Sequence, residues 1–214
     1  MKILIFYTPR SKSTMLNELL CKKYQLTNFG DTVTKSRIKN KDFREYDQLI
    51  SVINSSKDIC IKLNGNDFFD PITGKLTELY KQIDYNSFDK IIMLTRKNYI
   101  DAILSYGYMD PTNSETWHRK KSQTVEARAY TIQPTKIYHL LNGYRAYETI
   151  KDYIKTVVDS NMISESDFDN FSELLNQLEL KNIDIDLRPM GINYKSIVTN
   201  YDEILDIANE FFNR

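Results

Sequence analysis

The chain has 214 residues with 29 basic and 29 acidic side chains, a formal net charge of zero and a sequence pI near 6.7. Balanced charge argues against a dedicated nucleic-acid-binding protein, which usually carries a basic excess. An aromatic content of 12% argues against a disordered chain. No apolar stretch approaches the roughly 20 residues that a membrane-spanning helix needs. No signal peptide is recognisable, so we expect a cytoplasmic protein without a membrane partner.

The cysteines and histidines predict no metal site. Cys21 and Cys60 lie within apolar segments, where buried free thiols of a reducing compartment are typical. The two histidines, His118 and His139, show no metal-ligand spacing with each other or with the cysteines. His139 falls inside a helical pattern, where a structural role is the simpler interpretation.

The chain opens with a strand, a tight loop and a helix. Residues 2–7, KILIFY, form an unbroken apolar run typical of a strand buried on both faces. A short polar segment follows, and apolar residues at helical spacing then predict a helix from Met15. Residues 28–41 lack apolar periodicity and are predicted to be a loop.

The rest of the chain alternates between strand and helix patterns. Further strands are predicted at residues 58–63, 89–95 and 188–194, and helices at 43–53, 76–83, 99–108, 134–157, 164–180 and 202–212. Pro134 suits the first turn of its helix, and Ser164 or Ser166 would cap the helix at 164–180. This alternation predicts a single domain over residues 1–214, a three-layer α/β/α fold with a mostly parallel central sheet. Residues of about 110–180 would form a helical insertion.

The loop after the first strand has the composition of an anion site. It reads Thr-Pro-Arg-Ser-Lys-Ser-Thr, between a buried strand and the N-terminus of a helix. Free backbone N–H groups and the helix dipole favour an anion there. Arg10 and Lys12 add charges, while Ser11, Ser13 and Thr14 add hydroxyl donors. The loop is therefore suited to a phosphate or a sulfate.

This loop resembles the PRSGST or PKSGTT loop of the sulfotransferase family, which binds the 5′-phosphosulfate of the donor nucleotide. By position, Arg10, Ser11, Ser13 and Thr14 match the family, whereas Lys12 stands where glycine is usual. If that position needs a positive φ, the lysine costs about 1–2 kcal/mol. Alternatively, the lysine lends its own charge to the donor. The two glycines of the nucleotide-kinase P-loop are absent.

Two other segments extend the resemblance. Arg96 at a strand end and Ser105 on the following helix fit the family's site for the 3′-phosphate, and the pattern is closest to compact bacterial members. A strand-end guanidinium can grip a phosphate with two hydrogen bonds. The segment Gly191–Phe212 is similar to the family's closing strand, turn and helix. The resemblance implies a fold like that of the P-loop NTPases and binding of 3′-phosphoadenosine 5′-phosphosulfate (PAPS) as co-substrate, without a metal.

The residues that would carry the reaction are less well defined. Lys62 matches a lysine that many family members carry at the end of the second strand, but Asn64 stands where the family has a histidine, and asparagine cannot act as a general base. Asp31, near the position of a catalytic glutamate in the compact members, and His118, with a suitable intrinsic pKa, are the two candidates for the base.

The sequence therefore predicts transfer of a sulfuryl group from PAPS to a hydroxyl or amine of a small-molecule or carbohydrate acceptor. A catalytically silent relative that binds the nucleotide is the alternative suggested by Lys12 and Asn64. A P-loop nucleotide kinase is a third hypothesis, although neither a Walker lysine nor a metal-holding acid is recognisable.

Overall fold

The computed structural model describes residues 1–30, 50–51, 53–70, 75–108, 129–184 and 193–213. Five strands and five α-helices have defined bounds within this part of the chain. In chain order they are β1 (Lys2–Tyr7), α1 (Ser13–Tyr24), β2 (Thr27–Gly30), β3 (Ile59–Asn64), β4 (Lys90–Thr95), α2 (Tyr99–Gly107), α3 (Pro134–Val157), β5 (Ile163–Asp167), α4 (Phe171–Gln177) and α5 (Tyr201–Phe212). Short 3-10 helices join several of them, among them Gly65–Phe68 and Tyr194–Ser196.

The described strands form one parallel sheet in the order β2-β3-β1-β4-β5. β1 lies in the middle, and its residues from Ile3 to Phe6 are at most 1% exposed. This burial explains the unbroken apolar run, because both faces of a central parallel strand are covered by helices. The three-layer α/β fold predicted from the sequence is confirmed.

The two faces of the sheet bury different residues because neighbouring side chains of a strand point in opposite directions. Leu4 and Phe6 pack with α3 on one face. Ile3 and Ile5 pack with α1 and α4 on the other. A third cluster joins α2, α3 and α5. Among the described residues, no helix is long and apolar enough to cross a membrane.

Three element predictions require correction. Residues 164–167, predicted as the start of a helix, belong to strand β5, so Ser164 and Ser166 are strand residues that pair with β4 rather than caps. The predicted loop at 28–41 begins with strand β2 at the sheet edge. In both segments, pairing with a neighbouring strand determines the secondary structure, and the intrinsic conformational preference of the residues does not.

The third correction concerns the C-terminal region. Residues 188–192 of the predicted last strand lie outside the described residues, and Tyr194 begins a 3-10 helix. Of the predicted helical insertion, residues 110–128 also lie outside the described part. α3 is helical as expected and begins at Pro134, whereas β5 belongs to the central sheet.

Candidate anion-binding site

The carboxyl edge of the sheet contains a topological switch point between β1 and β4. The chain leaves β1 through α1 toward β2 on one side, and leaves β4 through α2 and α3 toward β5 on the other. Two loops that diverge in this way leave a crevice, and open α/β sheets bind ligands in such crevices. The loop after β1 and the loop after β4 therefore define where a ligand is expected.

Hydrogen bonds join these two loops directly. The buried Thr8 donates its backbone N–H to the Leu94 carbonyl over 2.9 Å, and its Oγ1 accepts from the backbone N–H of Arg96 over 2.8 Å. The Ser11 hydroxyl, fully buried, donates to the Thr8 carbonyl over 2.7 Å. Ser11 thus shapes the loop with its side chain, and its hydroxyl does not point freely toward a ligand.

The loop contains two left-handed residues that are not glycine. Arg10 has φ 63° and Lys12 has φ 65°, a conformation that costs an L-residue about 1–2 kcal/mol. Lys12 is also the N-cap of α1 and makes no side-chain capping bond. The first N–H groups of α1, at Ser13 and Thr14, lie at the uncapped positive end of the helix dipole.

Arg10 is a partly buried cation whose polar neighbours include Ser105 and Tyr194. Its Nε donates to the Ser105 hydroxyl over 2.8 Å, and Ser105 is only 2% exposed. Burial lowers the pKa of Arg10; the nearby Tyr194 opposes this shift and the positive charge of Arg96 adds to it. No described carboxylate lies within 4 Å of the Arg10 guanidinium or of the Lys12 ammonium.

Arg96 and Lys12 complete the cationic cluster. Arg96 Nη1 donates to the Arg10 carbonyl over 3.3 Å, and its Nη2 lies 3.7 Å from the half-exposed carboxylate of Asp101. Burial lowers the pKa of Arg96, and Asp101 opposes this shift. Burial also lowers the pKa of Lys12, and the charge of Arg96 acts in the same direction. Both cations contact the ring of Phe168, at 4.1 Å for Lys12 Nζ and 4.4 Å for Arg96 Cζ.

A second polar group lies on the α1 face of the sheet, where β1 and β3 end. The buried Lys62 donates from Nζ to the Thr14 hydroxyl over 2.8 Å. Tyr7 and Asn64 are register partners, and Asn64 Nδ2 donates to the Tyr7 hydroxyl over 3.3 Å. Asn64 also accepts from the backbone N–H of Asn66 and caps a 3-10 helix. Asn64 is therefore a structural residue at the position where the resemblance places a base.

The structure brings most of the predicted site residues to one edge of the sheet. These are Arg10, Ser11, Lys12, Ser13, Thr14, Lys62, Arg96 and Ser105. The two candidate bases, Asp31 and His118, lie outside the described residues. Among those described, no group of three or more His, Cys, Asp or Glu could hold a metal ion.

Sequence reasoning missed Tyr7, Phe168 and Tyr194. Tyr7 could have been found, because it shares the side-chain alternation of β1 and directly precedes the loop. Phe168 was assigned to a helix, and only the pairing of β5 with β4 places it at the carboxyl edge. Tyr194 is more than 180 residues from Arg10 along the chain, and no local pattern links the two.

Fold and geometry together define a three-layer α/β protein with a cationic strand–loop–helix site at its switch point. No protein-family model matches the sequence, and no curated protein matches it.

Proposed function

We propose that this chain is a sulfotransferase that binds 3′-phosphoadenosine 5′-phosphosulfate and transfers its sulfuryl group to a hydroxyl or amine of an acceptor. The observation that carries the proposal is the cluster of Arg10, Lys12 and Arg96 at the switch point, next to the N-terminus of α1. Arg96 is paired with Asp101, whereas no described carboxylate lies within 4 Å of Arg10 or Lys12, and burying a charge without such a partner is costly. A ligand with two anionic groups would supply the missing negative charge.

Two groups of hydrogen-bond donors support a ligand with two anionic ends. The first turn of α1, with Ser13, Thr14 and Lys62, suits the 5′-phosphosulfate, because backbone N–H groups and a buried ammonium meet there. Arg96 and Ser105 suit the 3′-phosphate, as the family resemblance implies. Ser105 accepts from Arg10, so in a complex its own O–H would be the group that donates to a phosphate oxygen.

Transfer requires in-line displacement at sulfur. The bond from sulfur to the donor's bridging oxygen breaks, a new bond from sulfur to the acceptor oxygen or nitrogen forms, and 3′-phosphoadenosine 5′-phosphate leaves. Lys12 and Lys62 would stabilise the negative charge that grows on the leaving phosphate, and Thr14 would orient it. The acceptor's proton goes to a general base, for which Asp31 and His118 are the candidates.

Calorimetry with 3′-phosphoadenosine 5′-phosphate tests the binding step. We expect saturable binding by the wild-type chain and a Kd at least about tenfold weaker for Arg96→Ala, since a charged hydrogen bond contributes roughly 1.5–3 kcal/mol. Lys57→Ala is the control, because Lys57 is exposed just before β3, at the opposite edge of the sheet. Absent binding, or equal binding by the Arg96 variant, would contradict the proposal.

A nucleotide-binding protein without transfer activity is the second candidate. The observation in its favour is that the Asn64 side chain is engaged in capping and in the bond to Tyr7. Incubation with donor labelled at sulfur, with and without a panel of phenols, amines and sugars, separates the two functions. Labelled product, or slow hydrolysis of the donor, favours the enzyme, whereas tight binding with neither favours the silent protein.

A further inference from the structure

Phe168 is held at the carboxyl edge of the sheet by the backbone around it. It directly follows β5, and its N–H donates to the Thr95 carbonyl at the end of β4 over 2.8 Å. The preceding Asp167 accepts from the backbone N–H groups of Asp169 and Asn170 over 2.9 and 3.0 Å, and its other oxygen pairs with Lys97 over 3.1 Å. The ring is therefore carried on a loop that is bonded to the loop after β4.

The ring of Phe168 lies against one cation from each side of the crevice. Lys12 Nζ, from the loop after β1, is 4.1 Å from the ring centroid, and Arg96 Cζ, from the end of β4, is 4.4 Å away. The positive charges of Lys12 and Arg96 repel each other. The negative face of an aromatic ring attracts cations within about 6 Å, so the ring offsets part of this repulsion.

The two cations depend on the ring to different extents. Lys12 has a second aromatic contact, since its Nζ lies 5.0 Å from the centroid of Phe171. For Arg96, the described aromatic contact is Phe168, supplemented by the Arg10 carbonyl at 3.3 Å and by Asp101 at 3.7 Å. Loss of the Phe168 ring should therefore leave Lys12 with its longer contact to Phe171, and Arg96 with the Arg10 carbonyl and Asp101, so the positions of both cations become less well fixed.

We propose that Phe168 is a positioning residue that holds Lys12 and Arg96 at the separation of two anionic groups on one nucleotide. It thereby makes the site selective for nucleotides that carry both a 5′ and a 3′ anion over those with a 5′ phosphate alone. This inference rests on the proposed function, because it assumes that Lys12 serves the 5′ end and Arg96 the 3′ end.

Calorimetry on the full chain tests the inference with two probes, 3′-phosphoadenosine 5′-phosphate and adenosine 5′-phosphate. The measured quantity is the ratio of their Kd values, which a general loss of folded protein does not change. In Phe168→Leu we expect this preference for the bisphosphate to fall about tenfold, in line with the strength of partly buried cation–π contacts. Phe168→Tyr keeps an electron-rich ring and should restore the preference.

A variant with pentafluorophenylalanine at position 168 tests the same inference if the leucine variant does not fold. It keeps nearly the same ring shape and removes the negative face of the ring, so the preference should again fall. An unchanged ratio in folded Phe168→Leu or in the fluorinated variant overturns the positioning role. If wild-type protein binds neither probe, the proposed function fails instead, and the two failures are thus distinguishable.

Discussion

Lys12 combines a left-handed backbone with a partly buried charge. Its φ of 65° belongs to a conformation that glycine adopts without cost, and the sequence comparison with the sulfotransferase loop predicted the possibility of a positive φ there. The lysine side chain packs against Phe168 and Phe171. We infer that the strained backbone of Lys12 lowers the stability of the fold but places a positive charge close to the candidate anion site.

Replacing Lys12 by glycine and by alanine separates strain from charge. Both variants lose the ammonium, and only alanine keeps a Cβ in the left-handed region. We expect Lys12→Gly to be about 1 kcal/mol more stable than Lys12→Ala, which corresponds to a melting temperature about 2–4 °C higher. Thermal and urea unfolding measure the difference. Equal stability of the two variants would show that position 12 relaxes to a negative φ.

At the scale of elements, the junction of β5 and α4 decides whether the site is complete. The acidic and serine-rich run at 164–180 has the composition of a capped helix. Its first residues instead belong to β5, which pairs with β4. Asp167, and not a serine, bonds to the N–H groups just before α4. The local sequence pattern could not reveal this pairing, because β5 is only partly buried and its partner β4 lies about 70 residues earlier in the chain.

Asp167 makes the stability of this junction dependent on pH. The N–H of Asn170 and the ammonium of Lys97 lower the pKa of Asp167. Its folded pKa is thus below its unfolded value of about 3.9. The ionised Asp167 therefore contributes its full stabilisation at pH values above the unfolded-state pKa. This contribution is lost as the pH falls through the folded-state pKa.

Asp167→Asn isolates the charge, since asparagine keeps an oxygen that can accept the same N–H bonds. We expect the variant to be less stable than wild type at pH 7, and the gap between their urea midpoints to shrink at pH 4 and to close further at pH 3. A gap that stays constant from pH 7 to pH 3 would mean that the charge of Asp167 does not stabilise the fold.

At the scale of the whole molecule, the parallel sheet brings together loops that are distant in the chain. β1 and β4 are neighbours although about 85 residues separate them, and this pairing places Arg10 beside Arg96 and Ser105. The chain has no net charge, so the cationic character is local to this edge. A ligand that neutralises it should stabilise the entire fold, because it binds only the folded state.

Thermal unfolding with 3′-phosphoadenosine 5′-phosphate measures that stabilisation. At a ligand concentration of 100 times Kd, linkage gives about 2.7 kcal/mol, or a rise in melting temperature of about 5–10 °C. The Lys57→Ala control should show the same rise, and Arg96→Ala a smaller one at the same ligand concentration. An equal rise in the Arg96 variant would place the ligand elsewhere.

Local periodicity and residue type over a few positions were enough to predict strands β1, β3 and β4, the first and last helices and the charged loop after β1. The family resemblance also singled out Arg96 and Ser105, and both side chains lie beside Arg10. Tertiary structure was needed to show that Phe168 contacts Lys12 and Arg96, that Tyr194 lies near Arg10, that Asn64 is a cap, and that Ser11 bonds to its own loop. Those outcomes depend on strand pairing and packing between distant segments, which no short window of sequence contains.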